Sequence, residues 1–519
     1  MNPDLTKLRR SPREVARWQR AQENLLGGRH SDAIRTYREL ARAYPGIAEL
    51  WFELGNAATG MLDFTTAIDA YQRARKLAVG NPPLLALIGQ QYQTLRQPDS
   101  ARECYRDAVT ASPDSVDARI NLAVWLEKER QLDEAMEQVE HCLAKHPRDD
   151  QARYFKAFLL HRKREDSQAE TALRDLIRDA PAYPYVKYAS RHLLGVVLDR
   201  LGQYGEAFQW LKEAKSIVRT IADTRALEQG YDEGDRRRRA LLSALTPDAM
   251  RRWRDEGPAT AESWQPAFLG GHPRSGTTLL EQILGAHPDL LAFDEPDSFQ
   301  QEITRHIALP AAMGQPELQQ LDRLSTDKLA GMRQRYFTSL LREVPGEPQA
   351  RVLLDKNPSP TLSLNIWLRI FPELKVIIAL RDPRDVVVSC FFMNIVLNST
   401  NVNFLSLERT AKHYSDLMDV WLRMRELGGF DWIESRYEDV VADMSTEGRR
   451  VTEFLGLAWH PDQEKFHEAA RRKILNAPTY HDVTRQVYKT AVGRWQHYAA
   501  ELEPLQEKLA PYCKAFGYD

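Results

Sequence analysis

Ala267-Phe268-Leu269-Gly270-Gly271-His272-Pro273-Arg274-Ser275-Gly276-Thr277-Thr278-Leu279-Leu280-Glu281-Gln282-Ile283-Leu284 changes character twice along its length. Its first four residues have strand composition, and its last six carry the apolar spacing of a helix. Between them lies a loop with glycines at 271 and 276 and hydroxyls at 275, 277 and 278. A strand, a glycine-bearing loop and a helix N-terminus, in that order, make an anion site, because unpaired amides converge there. The two glycines have the spacing of a nucleoside-triphosphate loop, but Thr277 stands where such a loop has its lysine. A triphosphate site needs that lysine, together with a hydroxyl on magnesium. Arg274 beside amides and hydroxyls suits a phosphate or phosphosulfate group better.

C-terminal to the loop, short apolar runs that each end in a charge alternate with helical stretches, the pattern of a parallel sheet. Leu290–Phe293 leads into Asp294-Glu295, Arg351–Asp355 into Lys356, and Lys375–Leu380 into Arg381. Ligands of an open parallel sheet lie beyond the carboxyl ends of its strands. Arg274, Glu295, Lys356 and Arg381 are therefore expected at one edge.

Pro273-Arg274-Ser275-Gly276-Thr277-Thr278-Leu279 resembles the 5′-phosphosulfate loop of sulfotransferases, in the form found in tyrosylprotein sulfotransferases and bacterial repeat-bearing relatives. Arg381-Asp382-Pro383-Arg384-Asp385-Val386-Val387-Val388-Ser389 resembles the 3′-phosphate motif of the same family. The resemblance spans about residues 265–500. It implies 3′-phosphoadenosine 5′-phosphosulfate as co-substrate, adenosine 3′,5′-bisphosphate as product, and no metal. It places Arg274, Ser275, Gly276, Thr277 and Thr278 on the 5′ side and Arg381 and Ser389 on the 3′-phosphate, with Tyr437 as a nucleotide contact. Gln486-Val487-Tyr488-Lys489 resembles the C-terminal nucleotide loop, which makes Lys489 a further candidate. Arg384 is expected in a structural ion pair.

Sulfuryl transfer rests on in-line positioning and on stabilising charge at the equatorial and leaving oxygens. Arg274 and Lys356 are the cations for that task, and Glu295 is the base for an acceptor hydroxyl. Glu295 follows Arg274 at the distance of the catalytic carboxylate in the tyrosylprotein family. Its rival, Asp294, is expected to point elsewhere. The tyrosylprotein enzymes are membrane-anchored and luminal, so location and acceptor do not carry over from them. A peptide or protein tyrosine is the preferred acceptor. A carbohydrate or small-molecule hydroxyl is the alternative within the enzyme class, and a repeat scaffold that binds nucleotide without turnover the alternative outside it.

The N-terminal half repeats itself. Ala33, Ala67, Ala101, Ala135 and Ala169 fall on a constant step, each followed at i+4 by a larger side chain: Tyr37, Tyr71, Tyr105, Val139 and Leu173. A small residue lets paired helices approach, and the i+4 residue on the same face fills the seam. Pro113, Pro147 and Pro181 recur on the same step and end each pair. Leu54-Gly55, Ile88-Gly89 and Leu194-Gly195 match the Leu-Gly of the tetratricopeptide repeat, which this region resembles. Such arrays bind peptides or proteins on their concave face, so a peptide acceptor held by the repeats is an expected partner.

The fold class expected is thus two-domain: an all-α tetratricopeptide superhelix of about six repeats over 1–217, a helical connector over 218–262, and an α/β P-loop-like sulfotransferase domain with a central parallel sheet over 263–519. In the connector, the run Asp235-Arg236-Arg237-Arg238-Arg239 is expected as a solvated helix face. The formal net charge of −2 argues against a nucleic-acid partner, which would favour a basic excess. No apolar run reaches the ~20 residues of a membrane span. The N-terminal residues lack a signal-peptide core. Four cysteines without paired short spacing fit a reducing cytoplasm.

Overall fold

The computed structural model describes residues 6, 8–61, 63–95, 97–257, 264–307, 318–342, 344, 349–468 and 491–518. The chain divides into two compact units, Met1–Trp210 and Leu211–Asp519.

The first unit is a run of antiparallel helix pairs, among them Ala48–Gly60 with Phe64–Leu77, and Pro82–Thr94 with Pro98–Ala111. The recurring alanines Ala33, Ala67, Ala101, Ala135 and Ala169 are fully buried. Each larger i+4 partner has a seat on the preceding helix. A Cβ added to Gly55 would lie 2.4 Å from the Tyr71 ring, and one added to Gly89 would lie 2.9 Å from Tyr105. Where the tyrosine gives way to Val139 or Leu173, the residue at the glycine position grows to Ala123 or Ala157, within the same buried clusters. Seat and knob change size together, which keeps the helix spacing constant along the array.

The second unit begins with the end of the helix Tyr204–Ile221 and continues through α1 (Thr224–Ala244) and α2 (Pro247–Asp255). The described part of the expected connector, 218–257, therefore supplies helices that pack within this unit: Tyr231 donates to Asp416 at 3.0 Å, and Trp253 to Asp322 at 2.6 Å. The basic run is solvated only in part. Arg236 and Arg237 are exposed beside Glu233, whereas Arg238 is buried against Asp235. Arg239 joins Asp235 to Asp416 and Asp419 of a later helix. Asp235 at i−3 holds the Arg238 guanidinium inside, while Arg239 stays half exposed and reaches along the surface to Asp235 and the facing helix, which a run of charges read alone does not reveal.

Five parallel strands follow: β1 (Gln265–Gly271), β2 (Leu290–Asp294), β3 (Val352–Lys356), β4 (Lys375–Leu380) and β5 (Asp431–Arg436), ordered β2-β3-β1-β4-β5. β1, β3 and β4 are buried along almost their whole length, as strands covered on both faces must be. After β1 the chain moves to one side of the sheet for β2 and β3, and β4 lies on the other side. The topological switch therefore falls at the carboxyl end of β1, where a ligand crevice opens in this class of sheet. Among the described residues, no helix is long and apolar enough to cross a membrane.

The seat geometry predicts opposite signs for two glycine substitutions. Gly55→Ala drives a methyl into Tyr71 and lowers stability by about 1–3 kcal/mol. Gly230→Ala, inside α1 where an added Cβ meets nothing within 4 Å, raises it by about 0.5–1 kcal/mol. Calorimetric unfolding should move the melting temperature down for the first and up for the second.

Candidate active site

The loop leaves β1 at Gly271, where φ is 125° and a Cβ would sit 2.4 Å from the Ala379 carbonyl of β4. Only glycine fits so close to a neighbouring backbone. Gly276, at φ 95°, ends the loop, and its missing Cβ leaves room for the Tyr437 ring 2.6 Å away. α3 (Thr277–Leu284) starts there. The amides of its first turn, Thr277 and Thr278 among them, have no carbonyl within the helix to meet. Ser275 is buried, and both its hydroxyl (2.7 Å) and its amide (3.1 Å) donate to the His272 carbonyl. Its hydroxyl shapes the loop.

Among the described residues of this unit, only Arg274 (φ 74°) and Glu295 (φ 50°) are non-glycine residues in the left-handed region. Both are sequence-predicted site residues. Backbone strain of this kind gathers where the surroundings over-determine a conformation for function.

Two clusters stand at the sheet edge, on either side of β1. On the β4 side, Arg274 Nε donates to Ser389 Oγ at 3.0 Å, from α4 (Pro383–Phe391). Arg381 Nη1 donates to the Arg274 carbonyl at 3.3 Å, and its guanidinium lies 5.0 Å from the centre of the Tyr437 ring. Arg381 also reaches the Ala491 carbonyl and stands 3.6 Å from Asp385. Among the described residues, its Nε is buried without a partner. The structure thus brings Arg274, Arg381, Ser389 and Tyr437 together, joining residues that the sequence assigned to the two ends of the nucleotide.

On the β3 side, Lys356 is fully buried and its Nζ donates to Glu295 Oε1 at 3.1 Å. Asp294 pairs with the same ammonium. Asp294 does not point elsewhere as expected. It is the last residue of β2 and lies directly opposite Lys356 in the register, and Glu295, in the left-handed region, turns back toward the same atom. Burial works against the charge on Lys356, yet Glu295 and Asp294 hold its pKa above the ordinary lysine value. Glu295 itself is exposed, with 56% of its side-chain surface accessible, as a base for an incoming acceptor requires.

Lys489 lies outside the described residues. Arg384 forms the expected structural pair, gripping Asp382 at 2.9 and 2.7 Å and stacking 3.9 Å from the centre of Trp495. Sequence reasoning missed three participants. Asp385 accepts from the amides of Gly493 (2.8 Å) and Trp495 (2.7 Å), anchoring the C-terminal segment beside Arg381. An aspartate four residues after Arg381, in the first turn of the helix that follows it, was a readable signal. His272 and His413 form a buried pair beneath the loop, and nothing in their spacing announces it.

The orphaned, buried Arg381 Nε, the glycine-lined cradle and the Arg274–Ser389 pair fit a nucleotide that carries anionic groups at two positions. Residues 266–461 match the sulfotransferase family, and residues 21–232 match the N-terminal domain of the T7SS, ESX-1 secretion system protein EccA1. An uncharacterized protein of Aquifex aeolicus is 26% identical over 64% of this chain and 43% of its own length. Protein-tyrosine sulfotransferase 2 of Gallus gallus is 26% identical over 49% of this chain and 69% of its own length. The sulfotransferase domain of the Synechococcus PCC 7002 olefin synthase is 20% identical over 51% of this chain and 98% of its own, with a TM-score of 0.35.

Asp355, the neighbour of Lys356 on β3, yields a pH prediction. Its Oδ2 accepts from the Tyr336 hydroxyl at 2.9 Å, and its Oδ1 has no partner among the described residues. Burial raises its pKa from 3.8 to about 7, against the opposing effects of Tyr336 and Lys356. The folded protein therefore keeps a proton that the unfolded chain has released. The stability contributed by this group is full below the unfolded pKa and is lost as pH rises toward about 7. Asp355→Asn removes that dependence. In urea unfolding between pH 4 and 8, the variant should gain on the wild type as pH rises, by on the order of a few kcal/mol.

Proposed function

We propose, for a chain whose residues 266–461 carry a sulfotransferase-family domain behind a tetratricopeptide-type array, that it moves a sulfuryl group from 3′-phosphoadenosine 5′-phosphosulfate to the hydroxyl of a peptide tyrosine. The observation that carries this reading is the Arg381 Nε, buried without a partner among the described residues inside the Arg274–Ser389 cluster. A buried guanidinium N–H with no acceptor costs about 1–3 kcal/mol or more, which a phosphate oxygen would offset. The donor's 3′-phosphate supplies such an oxygen, and an ordinary nucleoside triphosphate has none at that position.

Each half of the edge then has a task. Arg381 and Ser389 hold the 3′-phosphate, and Arg274, with the first-turn amides of α3, orients the 5′ side. Glu295 takes the acceptor's proton as the acceptor oxygen bonds to sulfur. Lys356 meets the phosphate oxygen released as the donor's sulfur–oxygen bond breaks, so adenosine 3′,5′-bisphosphate leaves with its new charge neutralised. Lys356 changes partner in that step, from Glu295 to the leaving oxygen.

Tyrosine as acceptor draws support from the similarity to protein-tyrosine sulfotransferase 2 and from the exposed Glu295. The repeat unit is proposed to hold the acceptor peptide, as arrays of this type do. The four described cysteines are all buried free thiols, which supports action in the reducing cytoplasm.

Calorimetric titration tests the reading. Adenosine 3′,5′-bisphosphate should bind without magnesium and in preference to ATP. Preference for ATP with magnesium would sink the proposal. Arg381→Ala should weaken the bisphosphate by roughly 1.5–3 kcal/mol and leave ATP nearly unaffected. Glu295→Gln should keep bisphosphate affinity while turnover on a tyrosine peptide falls by about 10²–10⁴. Equal losses of affinity and turnover would make Glu295 structural.

A further inference from the structure

His272 is fully buried at the point where β1 becomes the loop. Its Nδ1 lies 2.7 Å from the Pro273 carbonyl, which can only accept, so Nδ1 carries the proton. Its Nε2 is then a bare acceptor. The 2.7 Å contact from that atom to Nδ1 of His413 must therefore hold a proton carried by His413. One tautomer remains for each ring, and the bonds run in one direction, from His413 through His272 to the Pro273 carbonyl. His413 belongs to α5 (Leu407–Leu427), and among the described residues its own Nε2 is buried without a partner. Burial, then His272 and the cations Arg238, Lys412 and Arg409, hold its pKa well below the ordinary histidine value. The pair stays neutral.

The Pro273 carbonyl belongs to the peptide plane that precedes Arg274, and the orientation of that plane sets φ of Arg274. Cys390 of α4 donates its thiol to the same oxygen at 3.5 Å. On the far side of the Arg274 Cα, Arg381 holds the Arg274 carbonyl. Both peptide planes around a left-handed arginine are thus clamped. We propose that the His272–His413 pair is a strut that positions Arg274, fixing the left-handed conformation from which its guanidinium meets Ser389. For the consequence on donor binding, the strut rests on the functional reading above. For the loop's conformation, it stands alone.

The test compares His272→Asn with His272→Leu in the full chain. Asn places an amide N–H where Nδ1 was and keeps the bond to the Pro273 carbonyl, whereas Leu keeps bulk and loses the donor. Hydrogen exchange of the Ser275–Thr278 amides is read without ligand, with the β4 amides as reference. Loss of both bonds of the strut should accelerate loop exchange about tenfold in His272→Leu, with little change in β4, and less in His272→Asn, which keeps the Pro273 bond and loses only the one from His413. Affinity for adenosine 3′,5′-bisphosphate should fall about tenfold in the Leu variant and recover in the Asn variant. Equal behaviour of the two variants, or loop and β4 exchange rising in step, overturns the strut. A wild type that ignores the bisphosphate overturns the functional reading, while the exchange data still judge the strut. If His272→Leu does not fold, His413→Asn against His413→Leu carries the same comparison one bond further back.

Discussion

Arg274 sits in a backbone conformation that costs an L-residue roughly 1 kcal/mol or more, and neighbouring groups from three directions hold it there. The His272 ring reaches forward to the Pro273 carbonyl, Arg381 from the end of β4 takes the Arg274 carbonyl, and Ser389 from α4 accepts its side chain. The glycines at either end of the loop are consequences of the same crowding. Gly271 passes too close to β4 for any side chain, and Gly276 too close to Tyr437. Change the position of β4 relative to β1 and each of these contacts fails together. The parallel register between those strands, Gly271 opposite Ala379, is thus a constraint on the cation that the loop presents.

How much of this was readable in the sequence depended on whether a residue acts through its own position or through a distant one. Arg274, Glu295, Lys356 and Arg381 follow apolar runs that end at the sheet edge, and a strand's end places its next residue with little freedom. Their grouping was legible for that reason. The second role of Asp294 was not, because it depends on β2 pairing with β3 so that Asp294 faces Lys356. The sequence shows both strands but not their adjacency. The His413 contact was further out of reach, since a helix over a hundred residues downstream supplies it. In the repeats the opposite held. Seat and knob lie a fixed distance apart along the chain, so the period shows the packing directly.

Arg238 and Arg239 illustrate the same limit on the surface of a helix. Periodicity placed the basic run on α1, yet the buried side of that helix carries Asp235 and faces Asp416. A buried guanidinium is tolerated once carboxylates surround it, and removing one partner costs far more than the pair contributes. Composition alone assigns Arg238 to solvent because it does not show that the helix turns the Arg238–Asp235 pair toward its packed side.

The two sides of β1 handle charge differently, and the division of labour follows from that. Lys356 is already paired with two carboxylates, so a ligand that meets it must replace a partner, and the gain is small until negative charge grows on the leaving oxygen. Arg381 has one carboxylate at 3.6 Å, and that carboxylate is itself occupied by the Gly493 and Trp495 amides. Its Nε remains unmet among the described residues, so a phosphate bound there would gain the full hydrogen bond at once. Interactions equal in the ground and transition states strengthen binding, and only those that grow along the reaction raise the rate. On the proposed reading the β4 side serves affinity and the β3 side turnover, with the strained loop at Arg274 as the joint between them.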